Sequence, residues 1–446
     1  MKKRFGLIGH PLGHSLSPPI HNRIMEFAGI DGQYEMYDIP VAELPRFIPG
    51  LLNDLDGFNA TIPHKTNVFP YMESLDETAR LCGAVNTVYK KRGYNTDVSG
   101  FKSAGIELAG KNILILGSGG SAHMMAATAL QDGAKSLEII TRSKTSLEKL
   151  LNHINSSFDA VEAKITARLL PELPKNQPDV ILNATPLGMW PKAHDLPCTE
   201  NLFVPGLTVF DPIYNPTPTR FVLNAKKHGG RAVGGLRMLL RQAIEAQQIW
   251  NPDIAFDVQQ IENAILPELL EELYKSFSVK LLVTGFMGAG KTTIAQLLAK
   301  KMKIAFLDLD SEIEKTSGKK INQIFAERGE SEFRIIETAV AESVLCHNGA
   351  AVIASGGGFP CQATNRKMIR ESNTLVLHLS APFDVLWERI EGNPSRPLAS
   401  KREETEKLYN ERAPIYSDFC DCEFDSSPDP EDVVDNIYST ITSLEI

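Results

Sequence analysis

The chain has 446 residues, too many for one ordinary core, and its composition, 43% apolar and 23% charged, gives material for two or three globular domains. No apolar run approaches the roughly 18 residues of a membrane span, and the stretch after Met1-Lys2-Lys3-Arg4 is too short for a signal peptide. A formal net charge of -9 without a long basic block argues against nucleic acid as the main partner. The six cysteines are scattered, only Cys420 and Cys422 being close, and give neither a metal pattern nor a disulfide framework. A cytoplasmic compartment is expected.

In chain order, residues 4–9 read as a first strand and 10–18 as the loop after it. Ser15 and Ser17 stand two apart and can aim two hydroxyls at one anion, although Ser17 equally suits the cap of a helix starting at Pro18. Residues 57–65 read as a short strand ending in Thr61, Pro63 and Lys65. Residues 83–88 and 93–100 read as short strands or turns carrying Asn86 and Asp97. Taken singly, each is an ordinary turn.

Residues 111–116 form a strand of the buried type, and Gly117-Ser118-Gly119-Gly120-Ser121-Ala122 fits the dinucleotide turn G-x-G-x-x-[GA] opening a helix at His123. A second strand, 137–140, runs into Thr141-Arg142-Ser143-Lys144. An acid there would select the ribose hydroxyls of NAD; Arg142 and Lys144 instead suit a 2′-phosphate and NADP, the rival reading being two solvated surface cations. Next come Asn183-Ala184-Thr185-Pro186-Leu187-Gly188-Met189, the segment Asp211-Pro212-Ile213-Tyr214, and Gly234-Gly235-Leu236-Arg237 ahead of a helix bearing Gln242.

Residues 271–278 are a short charged joint lacking Gly and Pro. The apolar run 280–284 then leads into Gly-Phe-Met-Gly-Ala-Gly-Lys-Thr at 285–292 and a helical pattern at 294–299. Strand, glycine-rich turn and helix form the context that the phosphate loop G-x-x-x-x-G-K-[ST] requires. Its backbone N–H groups wrap a polyphosphate, Lys291 adds positive charge and Thr292 offers oxygen to Mg²⁺. Residues 304–310 read as a strand ending in Asp308 and Asp310. Arg334 with Glu337, a glycine triplet at 356–358, Arg389, Arg396 in a Pro-flanked stretch, and Arg412 follow.

Ser15, Ser17, Thr61, Lys65, Asn86 and Asp97, in this order and spacing, resemble the substrate half of shikimate dehydrogenase, and the likeness runs through about the first 270 residues. The resemblance implies that Ser15 and Ser17 hold a substrate carboxylate, that Thr61, Asn86 and Asp97 bind ring hydroxyls, and that Lys65 is catalytic with Asp97 orienting it. It implies substrate contacts from Tyr214 and Gln242. NADP contacts fall on Glu77, Gly117, Ser118, Gly119, Gly120, Ser121, Thr141, Arg142, Ser143, Lys144 and Gly235. The chain departs from the family at Ser118, at Thr141 in place of Asn, and at 234–237, where Arg237 occupies a usual glycine position.

The later pieces, in order behind a phosphate loop, resemble shikimate kinase over the remaining chain. The implied ATP site is Gly288, Ala289, Gly290, Lys291, Thr292, Thr293, Arg389 and Arg396. The implied substrate site is Asp310, Arg334, Gly357 and Arg412, with Thr292 and Asp308 serving Mg²⁺ and Glu337 holding Arg334. Asp310, Lys291 and Arg396 would act in catalysis. Arg334 and Arg412 offer planar forks suited to a carboxylate.

The expected architecture is α/β throughout: a substrate domain over 1–100 plus 238–273, a Rossmann-type NADP domain over 101–237, a linker at 274–278, and a phosphate-loop kinase with a parallel sheet over 279–446. The expected function is reduction of 3-dehydroshikimate to shikimate with NADPH and phosphorylation of shikimate with ATP and Mg²⁺. No nucleic-acid or membrane partner is expected, and homo-oligomerisation stays open. The rivals are a quinate-type dehydrogenase fused to another small-metabolite kinase, and a non-catalytic shikimate sensor.

Overall fold

A computed structural model describes residues 2–13, 15–158, 162–172, 174–392 and 401–442. The chain divides into two compact units, Met1–Gly188 with Asp195–Leu269, and Met189–His194 with Leu270–Ile446. Among the described residues, no helix is long and apolar enough to cross a membrane. All six cysteines are free thiols.

The first unit holds two sheets. Strands β1 (Lys3–Gly9), β2 (Gly32–Asp38), β3 (Gly57–Ala60), β4 (Ser74–Leu75), β5 (Thr87–Tyr89) and β6 (Arg92–Tyr94) lie in the order β2-β1-β3-β5-β6-β4. β1 runs parallel to β2 and β3, whereas β5 returns antiparallel to β3 and places Thr87 opposite Asn59. Phe5 and Leu7 of β1 bury one face against Ala246 and Trp250 of the helix Leu236–Trp250. Ile8, Phe58 and Val88 bury the other face against Leu44 and Ile48 of the helix Leu44–Asp54. With both faces covered, polar side chains inside this sheet must find partners within it. That requirement builds the site described below.

The second sheet comprises β7 (Asn112–Leu116), β8 (Ser136–Thr141), β9 (Lys164–Leu169), β10 (Val180–Asn183), β11 (Thr208–Asp211) and β12 (Arg231–Gly234), all parallel, in the order β12-β11-β10-β7-β8-β9. Counted from β7, this is the doubly wound order 3-2-1-4-5-6, whose switch point lies between β7 and β10. β7 and β10 read as unbroken apolar runs because helices cover both faces of a parallel sheet.

The second unit is built on β13 (Lys280–Gly285), β14 (Ala305–Asp308), β15 (Ala351–Ala354), β16 (Thr374–Ser380) and β17 (Cys422–Asp425), parallel throughout in the order β14-β15-β13-β16-β17. β13 is central and fully buried. Lys280, at its start, is 1% exposed and its ammonium donates to the carbonyls of Ser278, at 3.3 Å, and His347, at 2.9 Å, with a third bond to Gly349 O. Burial lowers the pKa of this lysine. Its role is structural, joining three loop carbonyls at the start of β13.

Three local expectations change. The strand expected over 304–310 stops at Asp308, because the Asp308 carboxylate accepts from Ser311 N at 3.1 Å and caps the helix Leu309–Ser317. Asp310 therefore sits in a first helical turn. Asp97 likewise opens a short helix, Asp97–Lys102, directly after β6. At the charged stretch 271–278, the helix Val258–Ser276 continues with Leu273 and Tyr274 buried.

Candidate active sites

In the first unit, loops and helix starts at one end of the first sheet converge. Ser17 opens the helix Ser17–Phe27, and its backbone N donates to Ser15 Oγ at 3.2 Å. Thr61 follows β3, with its N bonded to Ile8 O at 2.9 Å. The carbonyl of Lys65 accepts from Val85 N at 2.8 Å, which fixes the loop beside Asn86. Lys65 Nζ lies 2.5 Å from Asp97 Oδ2, the pair being 21% and 13% exposed. Asn86 Nδ2 donates to the other oxygen, Asp97 Oδ1, at 3.0 Å and also reaches Thr96 Oγ1 at 3.0 Å. The side-chain oxygen Asn86 Oδ1 accepts from Thr96 N at 2.8 Å. Lysine, aspartate and asparagine thus form one oriented cluster.

Sequence reasoning missed the chain of bonds behind this cluster. Thr87 Oγ1 donates to Asn86 Oδ1 at 3.0 Å, Asn59 Nδ2 donates to Thr87 Oγ1 at 2.9 Å, and Tyr34 OH donates to Asn59 Oδ1 at 2.7 Å. Tyr34 is fully buried, and desolvation raises its pKa well above the ordinary value against a hydrogen bond from the Ser17 hydroxyl. A continuous path therefore joins Ser17 to Asp97 and Lys65. The available signal was Asn59: a polar residue inside an apolar strand, two positions before Thr61 and so on the same face.

Tyr214 is half-buried, and desolvation raises its pKa. Gln242 lies on the helix Leu236–Trp250, with its Cβ 3.4 Å from where a Cβ of Gly100 would stand. Asp211, the acid of the D-x-x-Y segment, faces inward. It accepts from Asn183 Nδ2 at 3.0 Å and Thr219 Oγ1 at 2.6 Å, and burial pushes its pKa up to about 6. Its task is to tie β10 to β11.

The dinucleotide turn follows β7 at the switch point. Gly117 has φ +106, and a Cβ there would meet Ala184 O at 2.7 Å, so only glycine fits. Gly119 and Gly120 are exposed with no neighbour within 4 Å of an added Cβ, and Gly119 caps the helix Gly120–Gln131, which begins with Ser121 in its first turn. This cradle, open at a helix N-terminus, fits a pyrophosphate. Ser118 Oγ and Thr141 Oγ1 lie 2.9 Å apart, joining the turn to the end of β8. Arg142 and Lys144 are exposed just beyond, Ser143 caps the next helix through Ser146 N, and Lys144 reaches Glu148 only at 4.0 Å. Gly235 is the N-cap of the helix Leu236–Trp250, and Glu77 is exposed in the first turn of the helix Glu77–Cys82.

In the second unit, the phosphate loop links β13 to the helix Lys291–Met302, which also carries Thr293. Gly288 has φ +88, and a Cβ there would meet Leu386 O at 2.7 Å; Ala289 behind it is buried and Gly290 takes the left-handed N-cap position. Lys291 Nζ donates to Phe286 O at 3.0 Å, and Thr292 Oγ1 donates to Asp308 Oδ2 at 2.9 Å. The Asp310 side chain opens to the surface, yet the protein around it, and then the charge of Asp308, raise its pKa; Lys291 and Arg334 pull the other way.

Arg334 bridges Glu337 at 2.7 Å and Glu330 at 3.0 Å. Glu337 is 1% exposed, and burial raises its pKa against Arg334. The guanidinium lies over the glycine triplet, only 2.4 Å from the Cβ position of Gly358. Arg412 Nη1 is 3.9 Å from the Cβ position of Gly357. The structure thus gathers Lys291, Asp308, Asp310, Arg334, Gly357 and Arg412 around the ends of β13, β14 and β15. Arg389 bonds to the carbonyls of Gly288, at 3.3 Å, and Ser426, at 3.0 Å, along the flank of the loop. Arg396 lies outside the described residues. Tyr416 was missed: its hydroxyl donates to Gly357 O and its ring lies 5.1 Å from His378. It stands four residues after Arg412 on the same face of one helix.

Both halves of the chain match known proteins. The model of the shikimate dehydrogenase substrate-binding domain matches residues 7–88, and that of shikimate kinase matches 287–442. A shikimate dehydrogenase (NADP(+)) of Caldanaerobacter subterraneus subsp. tengcongensis is 35% identical over 277 residues, 60% of this chain and 98% of that protein. The crystal structure of shikimate 5-dehydrogenase from Listeria monocytogenes, in complex with shikimate and NAD, is 30% identical with a TM-score of 0.54, covering 59% of this chain and 96% of that one. A chorismate mutase/shikimate 5-dehydrogenase fusion from Clostridium acetobutylicum is 33% identical with a TM-score of 0.53, covering 61% and 98%. The chain belongs to the shikimate dehydrogenase family and carries a shikimate kinase domain in the same polypeptide, as a bifunctional shikimate-pathway enzyme.

Proposed function

We propose that the first unit reduces the ketone of 3-dehydroshikimate to shikimate with NADPH, and that the second transfers the γ-phosphoryl group of ATP to the 3-hydroxyl of shikimate. The observation that carries this reading is the Lys65–Asp97 contact at 2.5 Å, with Asn86 fixing the second carboxylate oxygen. Bound NADPH supplies the hydride that adds to the carbonyl carbon. The Lys65 ammonium polarises the carbonyl oxygen and gives it the proton that completes the alcohol. Asp97 aims Nζ, Ser15 and Ser17 take the carboxylate, and Thr61, Asn86, Tyr214 and Gln242 surround the ring. Arg142 and Lys144 favour NADP through its 2′-phosphate.

In the second unit, Asp310 orients the attacking hydroxyl and accepts its proton, a task that its raised pKa suits. Arg334 and Arg412 hold the substrate carboxylate, and Lys291 with the loop N–H groups neutralises the transferring phosphoryl group. The Thr292–Asp308 pair offers hard oxygen donors of the kind that Mg²⁺ takes beside substrate phosphates: Thr292 directly and Asp308 behind it. We place the substrate domain at residues 1–100 plus 238–273, the NADP domain at 101–237 and the kinase at 279–446. The three sheets, which span 3–94, 112–234 and 280–425, support the division into three, and residues 270–273 fall with the second compact unit. A cytoplasmic location accords with six free thiols.

A substrate panel tests the assignment. With NADP, oxidation of shikimate is expected to exceed that of quinate by at least about tenfold in kcat/KM, and with ATP, phosphorylation of shikimate to exceed that of gluconate by more, since gluconate shares the carboxylate but is acyclic and cannot fill a site shaped for a ring. Quinate or gluconate as the better substrate would replace the corresponding half.

A further inference from the structure

Glu245 is a half-buried acid that the mechanism above leaves unused. It projects from the helix Leu236–Trp250, three residues after Gln242, on the side that packs against the short helix Asp97–Lys102. The two helices approach so closely that a Cβ on Gly100 would lie 2.8 Å from Met238 O. Across this contact the Glu245 carboxyl meets the Ser99 hydroxyl. Ser99 Oγ also lies 3.0 Å from Thr96 O, the N-cap carbonyl that accepts the first bond of the helix from Gly100 N at 3.2 Å.

The proton count limits which of these bonds can be made together. Ser99 has one hydroxyl proton, and the Thr96 carbonyl can only accept. A charged Glu245 could also only accept, and the single Ser99 proton would then serve either the carboxylate or Thr96 O, which keeps its bond from Gly100 N, but not both contacts at once. A neutral Glu245 donates to Ser99 Oγ, whose own proton then goes to Thr96 O, and every group is satisfied. We propose that Glu245 acts as a proton-bearing positioning residue of the dehydrogenase, fixing through Ser99 and the Thr96 carbonyl the helix start that aims Asp97 at Lys65.

The surroundings agree. The Glu245 pKa is pushed up to about 7 by burial first and by the charge of Asp76 next, with Asp97 adding to the rise and Arg241 opposing it. Arg241 itself is engaged by Glu262 at 3.3 Å. Asp97 is in turn paired with Lys65, and the Cys82 thiol, which Asp97 and Asp76 also influence, is pushed by burial up to about 12 and so stays neutral in this range. Ionising Glu245 would withdraw its donor from Ser99 and add a negative charge near Asp76 and Asp97.

The inference rests on the Lys65–Asp97 reading of the site, and the experiment separates the two. For the full-length wild type and Glu245→Gln, kcat/KM for 3-dehydroshikimate is measured with NADPH from pH 5.5 to 8.5. Glutamine keeps a neutral N–H donor to Ser99 at every pH. The wild-type to Glu245→Gln ratio is expected to be flat below pH about 6 and to fall to about one-tenth by pH 8, a decade per pH unit beyond the titration. Ser99→Ala, which cuts the relay, is expected to lower kcat about tenfold with KM within about twofold and to lose this difference in pH dependence. Superimposable wild-type and Glu245→Gln profiles, or a Ser99→Ala enzyme with wild-type kcat, would overturn the inference alone. Full turnover by Lys65→Ala would overturn the reading beneath it.

Discussion

Replacing Lys65 by alanine is expected to lower kcat for 3-dehydroshikimate reduction by roughly 10²- to 10⁴-fold, while phosphorylation of added shikimate by the same chain stays within about twofold of wild type. In free energy this is about 3–5 kcal/mol of transition-state stabilisation. The size follows from what Lys65 alone supplies. Hydride addition leaves a developing alkoxide, and the ammonium beside the proposed ring-binding groups is that of Lys65, which Asp97 fixes at 2.5 Å. Asn86 still donates to Asp97 in the variant, so the pocket keeps its shape and substrate binding falls less than turnover. Rates from rapid-quench or cofactor-absorbance assays with both substrates saturating give the measurement. Retained reduction would place the proton donor elsewhere, and loss of phosphorylation as well would mean that the two units do not work independently.

The reciprocal variant, Lys291→Ala, is expected to lose phosphoryl transfer by roughly 10²- to 10³-fold with dehydrogenation unchanged. The phosphate loop and its N–H groups stay in place, because Gly288 and the helix Lys291–Met302 set the backbone, to which the lysine side chain adds one bond at Phe286 O. ATP should therefore still bind, with weaker affinity, and the deficit should appear mainly in kcat. Nucleotide affinity by fluorescence and product formation by mass, measured on one preparation, separate these outcomes. Phosphoryl transfer at the wild-type rate would put the nucleotide site outside the loop. Unchanged nucleotide affinity together with lost turnover would confine Lys291 to the transition state.

The two sites were legible in the sequence to different degrees, for physical reasons. A phosphate loop makes its demands on a few consecutive residues, so strand, glycines, lysine and helix can be read together at 280–299. The dinucleotide turn is similarly local, and the close approach of Gly117 to Ala184 explains the first glycine of the pattern. The long-range parts are different. Lys65 and Asp97 are 32 positions apart, and nothing local says that they meet; family resemblance supplied the pairing and the fold supplies the contact. The order of the first sheet, with β5 inserted antiparallel beside β3, is also invisible to periodicity, although it alone brings Thr87 opposite Asn59.

Groups that act through others were the hardest to see. Tyr34 and Glu245 look like ordinary members of a strand and a helix until Asn59 and Ser99 are placed beside them. Asp310 was read at the end of a strand because the apolar run continues through Leu309. Capping by Asp308 ends the strand two residues earlier and turns Asp310 into the first turn of a helix. Arg334 could be proposed from the sequence as a carboxylate fork, whereas its position over the glycine triplet could not be read, since that depends on packing between the helix Ile321–Leu345 and the end of β15.

The most direct test of the bifunctional assignment is one vessel holding the full-length chain, 3-dehydroshikimate and NADPH, followed by cofactor absorbance until oxidation stops, then supplied with ATP and Mg²⁺ and analysed by mass. The account predicts cofactor oxidation in the first stage, with shikimate as the product, and a singly phosphorylated shikimate only after ATP is added. No oxidation with either NADPH or NADH, or oxidation with no phosphorylated product after ATP, would contradict it.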